Sequence, residues 1–419
     1  MINITKLQTG AAQPADHIRY GLGDGTGHPH ASTASCMPAS SRTRKPIVVW
    51  NITRTCNLRC IHCYADSHAE RYPGELSWEQ CCAVIDDLAD YKVNALLLSG
   101  GEPLLHPQLP QLLERATERG LKVTISTNGT RITPDLAKLF KKLGVAYVGI
   151  SLDGIGEIHD KFRGVPGAFE GAIRGFRLCE EVGQKTGLRL TLTRNNVQCM
   201  EQILGFIEQE NIQRVCFYHL VPTGRGVDVA CLHPDEARAA MDMLIERAEI
   251  WHRSGQTREL LTVTQPADGI YLLLRQLREG NPLAAQTLQL LSWNGGGANS
   301  SGRGIANIDP QGNIHPDQFW QSVTLGNVKT QKFSAVWNAA HEPSAAQLNE
   351  LRGSDDPAER QKKLSGRCAT CKHFHLCGGG FRTRAAFANG HWYGSDPGCY
   401  LTDEETQIDL SGLFSAKNC

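Results

Sequence analysis

The sequence predicts an α/β protein, a partial TIM-like (β/α)6 barrel followed by a smaller cysteine-bearing extension. Three observations carry this expectation. Six short apolar runs alternate with amphipathic stretches between residues 47 and 219, the pattern of parallel strands covered by helices on their outer face. Each run ends in a polar or Gly-rich cluster, and in barrels the C-terminal strand ends converge on the mouth where chemistry is done. The 15 cysteines are unevenly spread, with three at 56–63 and four between 368 and 399.

Along the chain, residues 11–46 are rich in Gly, Pro, Ser, Thr and His with little apolar period, so 1–46 reads as a flexible N-terminal arm. The barrel spans 47–231. Its strands are Ile47–Trp50, Ala95–Ser99, Lys122–Ser126, Ala146–Ser151, Leu188–Thr193 and Val215–His219, with helices such as Ser77–Tyr91, Pro134–Leu143 and Gly167–Gly183 between them. Residues 232–304 form a mostly helical connecting region broken at Pro266 and Pro282 and ending in the Gly-rich stretch 294–304. Residues 305–419 form the extension. It opens with a hairpin, Ile305–Ile308 and Asn313–Ile314, because Asp309-Pro310-Gln311-Gly312 suits a turn.

Composition excludes several function classes. Lys+Arg 43 balances Asp+Glu 43, which leaves no electrostatic footprint for nucleic acid or an anionic membrane. No apolar run reaches the roughly 18 residues of a spanning helix, and Met1–Gly10 lacks the apolar segment of a secretory signal. The chain therefore reads as soluble and cytoplasmic. In that setting thiols stay reduced, so clustered cysteines point to metal ligands.

The first cluster, Cys56-Asn-Leu-Arg-Cys60-Ile-His-Cys63, is CxxxCxxC. A [4Fe–4S] cluster usually takes four thiolates. Three leave one iron open to an amino acid's amine and carboxylate, which S-adenosylmethionine (SAM) carries. A zinc site using these three with His62 or His68 is the competing reading. Gly100-Gly101-Glu102-Pro103 after the second strand favours the iron–sulfur reading. Glycines admit close backbone approach, and Glu102 can accept from an ammonium group.

These residues, together with Ser126-Thr127-Asn128-Gly129 and Ser151-Leu152-Asp153-Gly154, resemble the radical SAM superfamily. The resemblance implies a 5′-deoxyadenosyl radical formed by reductive SAM cleavage at the Cys56/Cys60/Cys63 cluster. It implies that Gly100, Gly101 and Glu102 contact the methionyl amine. Asn128, Ser151 and Asp153 would lie near the ribose and carboxylate, with Arg163 as a carboxylate partner and His62 beside the adenine. A flavodoxin- or ferredoxin-type electron donor is implied as partner.

Cys368, Cys371, Cys377 and Cys399 supply four thiols, enough for one further [4Fe–4S] cluster or for a structural zinc. The arrangement, with Cys377-Gly378-Gly379-Gly380, resembles the SPASM extension of radical SAM enzymes. The match is partial, because Asp317 and Phe381 stand where many members carry cysteines. Cys81, Cys82, Cys179, Cys199, Cys216 and Cys231 lack ligand spacing and read as packing residues.

Spacing alone does not name a substrate. The runs Val48–Cys56, Phe162–Phe169, Val215–Gly226 and Ala298–Trp320 resemble the radical SAM proteins of haem d1 biosynthesis, over about residues 47–400. That resemblance implies a tetrapyrrole substrate, didecarboxysirohaem, attacked at propionate side chains. Arg225 and Arg303 suit tetrapyrrole carboxylates. His219 and His315 are candidates for the macrocycle iron or for proton donation, against a hydrogen-bonded structural role. The residues that carry out catalysis are unassigned. Alternatives are an iron-coproporphyrin decarboxylase, a SPASM peptide modifier and a non-enzymatic iron–sulfur electron carrier.

Overall fold

The computed structural model describes residues 1–13, 15–20, 45–295, 301–338 and 345–414. Among them, one sheet contains β1 (Ile2–Asn3), β2 (Ile47–Thr53), β3 (Ala95–Gly100), β4 (Val123–Thr127), β5 (Tyr147–Ser151), β6 (Thr186–Leu192), β7 (Arg214–His219), β8 (Glu259–Val263), β9 (Ile305–Ile308), β10 (Asn313–His315) and β11 (Gly326–Asn327). The order is β1-β8-β7-β6-β5-β4-β3-β2-β9-β10-β11. The six expected barrel strands are all present, and β2 to β7 pair in parallel with their sequence neighbours.

Alternation explains why the barrel stands as it does. Leu96, Leu98, Val123, Ile125, Val148, Ile150, Leu188, Leu190, Val215 and Phe217 face outward into the main apolar core under the helices. The alternate positions, among them Ser99, Ser126, Ser151, Arg189, Thr191 and Tyr218, face a cavity instead. Helix starts follow local chemistry. Ser77 and Gln80 form a capping box before Trp78–Asp90, and Thr133 caps Pro134–Lys142 through the Leu136 amide.

One expectation is corrected and two are extended. The arm is not free over residues 1–13 and 15–20. Ile2, Ile4 and Leu7 are core residues, β1 pairs with β8 through Ile2↔Thr262, and Arg19 meets buried Glu259 at 2.6 Å. A two-residue strand and the six-residue helix Ile4–Thr9 are too short to show a period. The rest of that expectation, 21–44, lies outside the described residues, as do Ala298 and its neighbours up to 300. The connecting region is mostly helical as expected, through Pro234–Arg253, Ala267–Arg278 and Ala284–Asn294, and it also contains β8, parallel to β7. Glu259–Val263 is buried throughout, and with Glu259 and Thr262 in it the segment neither alternates nor forms an apolar run, so it carries no strand period. The sheet also does not stop at β2, since β9 joins it in parallel through Ile47↔Ile305.

The hairpin forms as expected. Ile314 faces Ile308, Gly312 turns at φ +89, and the Asn313 amide donates to Asp309 Oδ1 at 2.8 Å. The extension then runs through short helices, including Phe374–Cys377 and Arg382–Asn389. It is anchored to the barrel by a buried pair. Arg384 reaches Asp396 at 2.6 and 2.8 Å and donates to the Leu220 and Thr264 carbonyls just past β7 and β8. No described helix is long and apolar enough to cross a membrane.

Candidate active site

The loop carrying Cys56, Cys60 and Cys63 leaves β2 at the barrel mouth and is held from two sides. Arg59 and Ile61 amides donate to the Arg163 and Phe162 carbonyls at 2.9 and 3.0 Å. Arg225 grips it from the loop after β7, with Nε on the Cys60 carbonyl at 2.8 Å, Nη1 on Asp66 at 2.7 Å and its amide on the Cys63 carbonyl at 3.0 Å. All three thiols line a cavity of about 1080 Å³, open at its mouth. The Leu58 amide donates to Cys56 Sγ and Arg163 Nη1 to Cys60 Sγ, each at 3.4 Å.

Burial pushes the Cys56 thiol up to about 12, so bound metal rather than solvent is what would hold it as thiolate. Among the described residues no three Cys, His, Asp or Glu side chains gather as ligands of a single ion. The thiols stand along a cavity wall, an arrangement that fits a multi-iron cluster. His62 lines the same cavity with its ring 4.7 Å from Phe162. Its buried Nδ1 has no partner, and burial lowers its pKa to about 4. A neutral flat ring with a free nitrogen suits a heteroaromatic ligand.

Gly100, Gly101, Asn128 and Ser151 line the cavity as expected. The glycines are required first by their own neighbours, because a Cβ at either would lie 2.2 Å from the Thr53 carbonyl or 2.3 Å from that of Arg54. Asn128 is engaged in bracing, its amide on Asn57 at 3.0 Å and its carbonyl accepting from Thr130. Two expected contacts lie behind the wall instead. Glu102 is fully buried and accepts from Thr127 Oγ1 at 2.6 Å, the Asn128 amide at 2.7 Å and the Leu104 amide at 3.0 Å. It stitches the ends of β3 and β4 together. Asp153 is fully buried, pairs with Arg163 and accepts from the Thr191 amide. Burial opposes its ionisation, but the Arg163 guanidinium holds the carboxyl below its usual range. Arg163 is thus shared between Asp153 and Cys60 and lines the cavity with its remaining edge.

Of the four substrate candidates, the structure brings two to the cavity and leaves two away. His219 lines it, with Nε2 donating to Asp268 at 3.1 Å and Tyr400 donating to the same carboxylate at 2.7 Å. Arg225 lines it while bracing the cysteine loop. Arg303 instead donates to the Arg352 and Ser354 carbonyls, and His315 sits in the hairpin between the Val323 carbonyl and Asp309. Neither lines the cavity. Tyr218, expected at the mouth as part of the Tyr218-His219 strand end, lines the cavity, while sequence reasoning missed Arg189, Tyr64 and Phe319, which also do. The signal for Arg189 was present in the alternation Leu188-Arg-Leu-Thr-Leu-Thr193, which puts Arg189 and Thr191 on the inward face.

Cys368, Cys371, Cys377 and Cys399 line a second, smaller cavity of about 440 Å³. The Gly379 amide donates to Cys377 Sγ, and Arg367 donates to Cys399 Sγ, both at 3.3 Å. Burial also raises the Cys377 thiol. Asp317 is fully buried and not directed here. It accepts from Ser301, from Thr383 Oγ1 at 2.5 Å and from the Phe319 amide at 2.8 Å.

A polar-walled barrel mouth with a thiol-bearing loop at its rim places the molecule among cofactor-dependent α/β-barrel enzymes. The pattern of the radical SAM superfamily matches residues 50–207. The chain is 42% identical, over 97% of its length and 98% of the other protein's, to a Fe-coproporphyrin III synthase from Methanosarcina barkeri. It is 41% identical to a pre-heme d1 synthase from Dinoroseobacter shibae, covering 87% of this chain and 88% of that one. The chain belongs to the radical SAM superfamily, and membership implies a [4Fe–4S] cluster and SAM. Its fold also matches a solved structure of native anSMEcpe with bound AdoMet and Kp18Cys peptide, with a TM-score of 0.65 at 18% identity over 87% of this chain and 95% of that one.

Proposed function

We propose that this enzyme modifies side chains of an iron tetrapyrrole, with Cys56, Cys60 and Cys63 ligating the radical SAM cluster. The favoured substrate is didecarboxysirohaem, whose propionate side chains are attacked on the way to haem d1. The observation that carries the reading is near-full-length similarity to two proteins named for tetrapyrrole products. When bound, the cluster and SAM supply a 5′-deoxyadenosyl radical for hydrogen abstraction.

The chain's own residues orient and enclose. His62 offers the neutral ring for adenine. Gly100, Gly101, Asn128 and Ser151 form the wall for the rest of SAM, and Glu102 and Asp153 hold that wall from behind. Arg163 and Arg225, each paired with an aspartate, keep the cysteine loop at the mouth. His219, held by Asp268, faces the substrate space. We assign Cys368, Cys371, Cys377 and Cys399 to one auxiliary [4Fe–4S] cluster, and a flavodoxin- or ferredoxin-type protein to electron supply. The barrel core 47–231, extended by β8, is the catalytic unit, and 305–419 is the SPASM-like unit.

A second reading, formation of Fe-coproporphyrin III, is favoured by the 42% identity across nearly both whole chains. The test is anaerobic incubation of reconstituted enzyme with dithionite, SAM and didecarboxysirohaem, followed by mass and visible spectra. SAM-dependent loss of propionate-derived mass supports the first reading, and a product matching Fe-coproporphyrin III supports the second. Replacing all three of Cys56, Cys60 and Cys63 with Ala should abolish 5′-deoxyadenosine. Undiminished 5′-deoxyadenosine from that variant would overturn the cluster assignment, and an unchanged tetrapyrrole with the intact enzyme would overturn the substrate.

A further inference from the structure

We propose that Arg189 is the residue of the cavity that binds a ligand carboxylate. Arg189 lies on the inward face of β6, beside Ser151 of β5 in register. Its stem runs across Gly149, where a Cβ would stand 2.5 Å from Arg189 Cδ and 3.2 Å from Cγ. The absent side chain at 149 is what lets this long residue rise inside the barrel. The guanidinium lies over the Tyr218 ring at 5.0 Å and donates to its hydroxyl. The residue is half-buried, with its open side on the cavity.

Three other arginines of the barrel have carboxylate partners. Arg163 has Asp153, Arg225 has Asp66, and Arg214 has Glu259 at 3.2 Å. Among the described residues no carboxylate pairs with Arg189. Arginine cannot shed its proton, and it presents five donors in a planar fork. A half-buried cation without a counter-ion is only partly compensated, and the Tyr218 hydroxyl supplies an acceptor without charge. Thr191 and Ser151 add hydroxyls on the same wall. A carboxylate entering the cavity would therefore complete an arrangement that the other arginines already have.

The inference rests on the tetrapyrrole reading for its favoured source, a propionate. The methionyl carboxylate of SAM shares the chemistry and is the other source. Reconstituted Arg189→Gln and Arg189→Lys enzymes would be titrated anaerobically with SAM, and separately with didecarboxysirohaem and its methyl ester, without turnover. Loss of one charge-assisted pair should weaken binding roughly 10- to 100-fold in Arg189→Gln and less in Arg189→Lys. If the partner is a propionate, the wild type should prefer free acid over ester by a similar factor, Arg189→Gln should lose that preference, and SAM binding should hold. Weakened SAM binding with tetrapyrrole binding unchanged supports the same role with SAM as the source.

Unchanged affinity for both ligands in both variants overturns the proposal. If Arg189→Gln does not reconstitute, Arg189→Lys and the acid-to-ester ratio of the wild type decide, and equal acid and ester binding with normal SAM binding in Arg189→Lys counts against it. If no tetrapyrrole binds the wild type while SAM is still cleaved, the substrate reading fails and the SAM titration alone judges Arg189.

Discussion

The pair Arg384–Asp396 should be the main electrostatic fastening of the cysteine-bearing extension, and removing one member alone should cost far more than removing both. Asp396→Ala deletes two charge-assisted bonds of 2.6 and 2.8 Å and the acceptors of the Phe381 and Gly398 amides at 2.7 and 2.9 Å. It leaves a guanidinium that is 3% exposed with only the Leu220 and Thr264 carbonyls for company. Breaking a buried pair from one side costs about 3–5 kcal/mol, because the surviving charge is unpaired. Arg384→Met with Asp396→Ala removes that charge, so about 1–2 kcal/mol should remain for the two lost amide bonds. The two single costs together should then exceed the double by about 4 kcal/mol or more. Urea unfolding of the reconstituted protein, with limited proteolysis of the segment around 364–400, measures it.

The pH dependence has a definite sign. Burial opposes ionisation of Asp396, but Arg384 holds its pKa below the usual value. The contribution is therefore complete above the unfolded value of about 4 and is lost as pH falls through the lower folded value. A cost under about 1 kcal/mol for Asp396→Ala, or a double variant as unstable as the two singles combined, would refute the reasoning.

Two further outcomes are expected. Burial raises Glu102 to about 6 from 4.5, so this group's stability is fully present below 4.5 and is lost as pH rises through about 6, by about 2 kcal/mol. Glu102→Gln lacks that loss, and its deficit relative to the wild type should shrink by about 1 kcal/mol between pH 5 and 7.5 in urea titrations, the rest of the loss falling below pH 5; a pH-independent deficit would contradict the assignment. Iron analysis of the Cys56/Cys60/Cys63 triple Ala variant should find about four irons with a [4Fe–4S]+ EPR signal. About eight would mean that a second auxiliary cluster forms, and zinc in place of iron would make the C-terminal site structural.

The core strands and most of the mouth were legible because both are written in local pattern. Leu188-Arg-Leu-Thr-Leu-Thr193 alternates, so one face must pack under helices and the other must turn inward, wherever the strand sits. The cysteine spacings and the Gly100-Gly101 pair are local in the same sense, as is the Asp309–Gly312 turn. What the sequence by itself did not determine is which elements meet. Ile2, Ile4 and Leu7 are too few to show a period; Ile2 became core because β8 offers it an edge, and Ile4 and Leu7 because their short helix packs against Pro234–Arg253 and β8. Glu102 and Asp153 carry the charge expected at a binding site, yet Thr127, Asn128 and Arg163 claim them from behind the wall. Arg303 and His315 were drawn off by the 352–354 backbone and by Asp309, while no carboxylate among the described residues pairs with Arg189, on a strand that gave no motif. Periodicity reports the direction in which a side chain leaves the backbone. Its partner is decided by long-range packing, and that is where a charged residue becomes either a brace or a binding group.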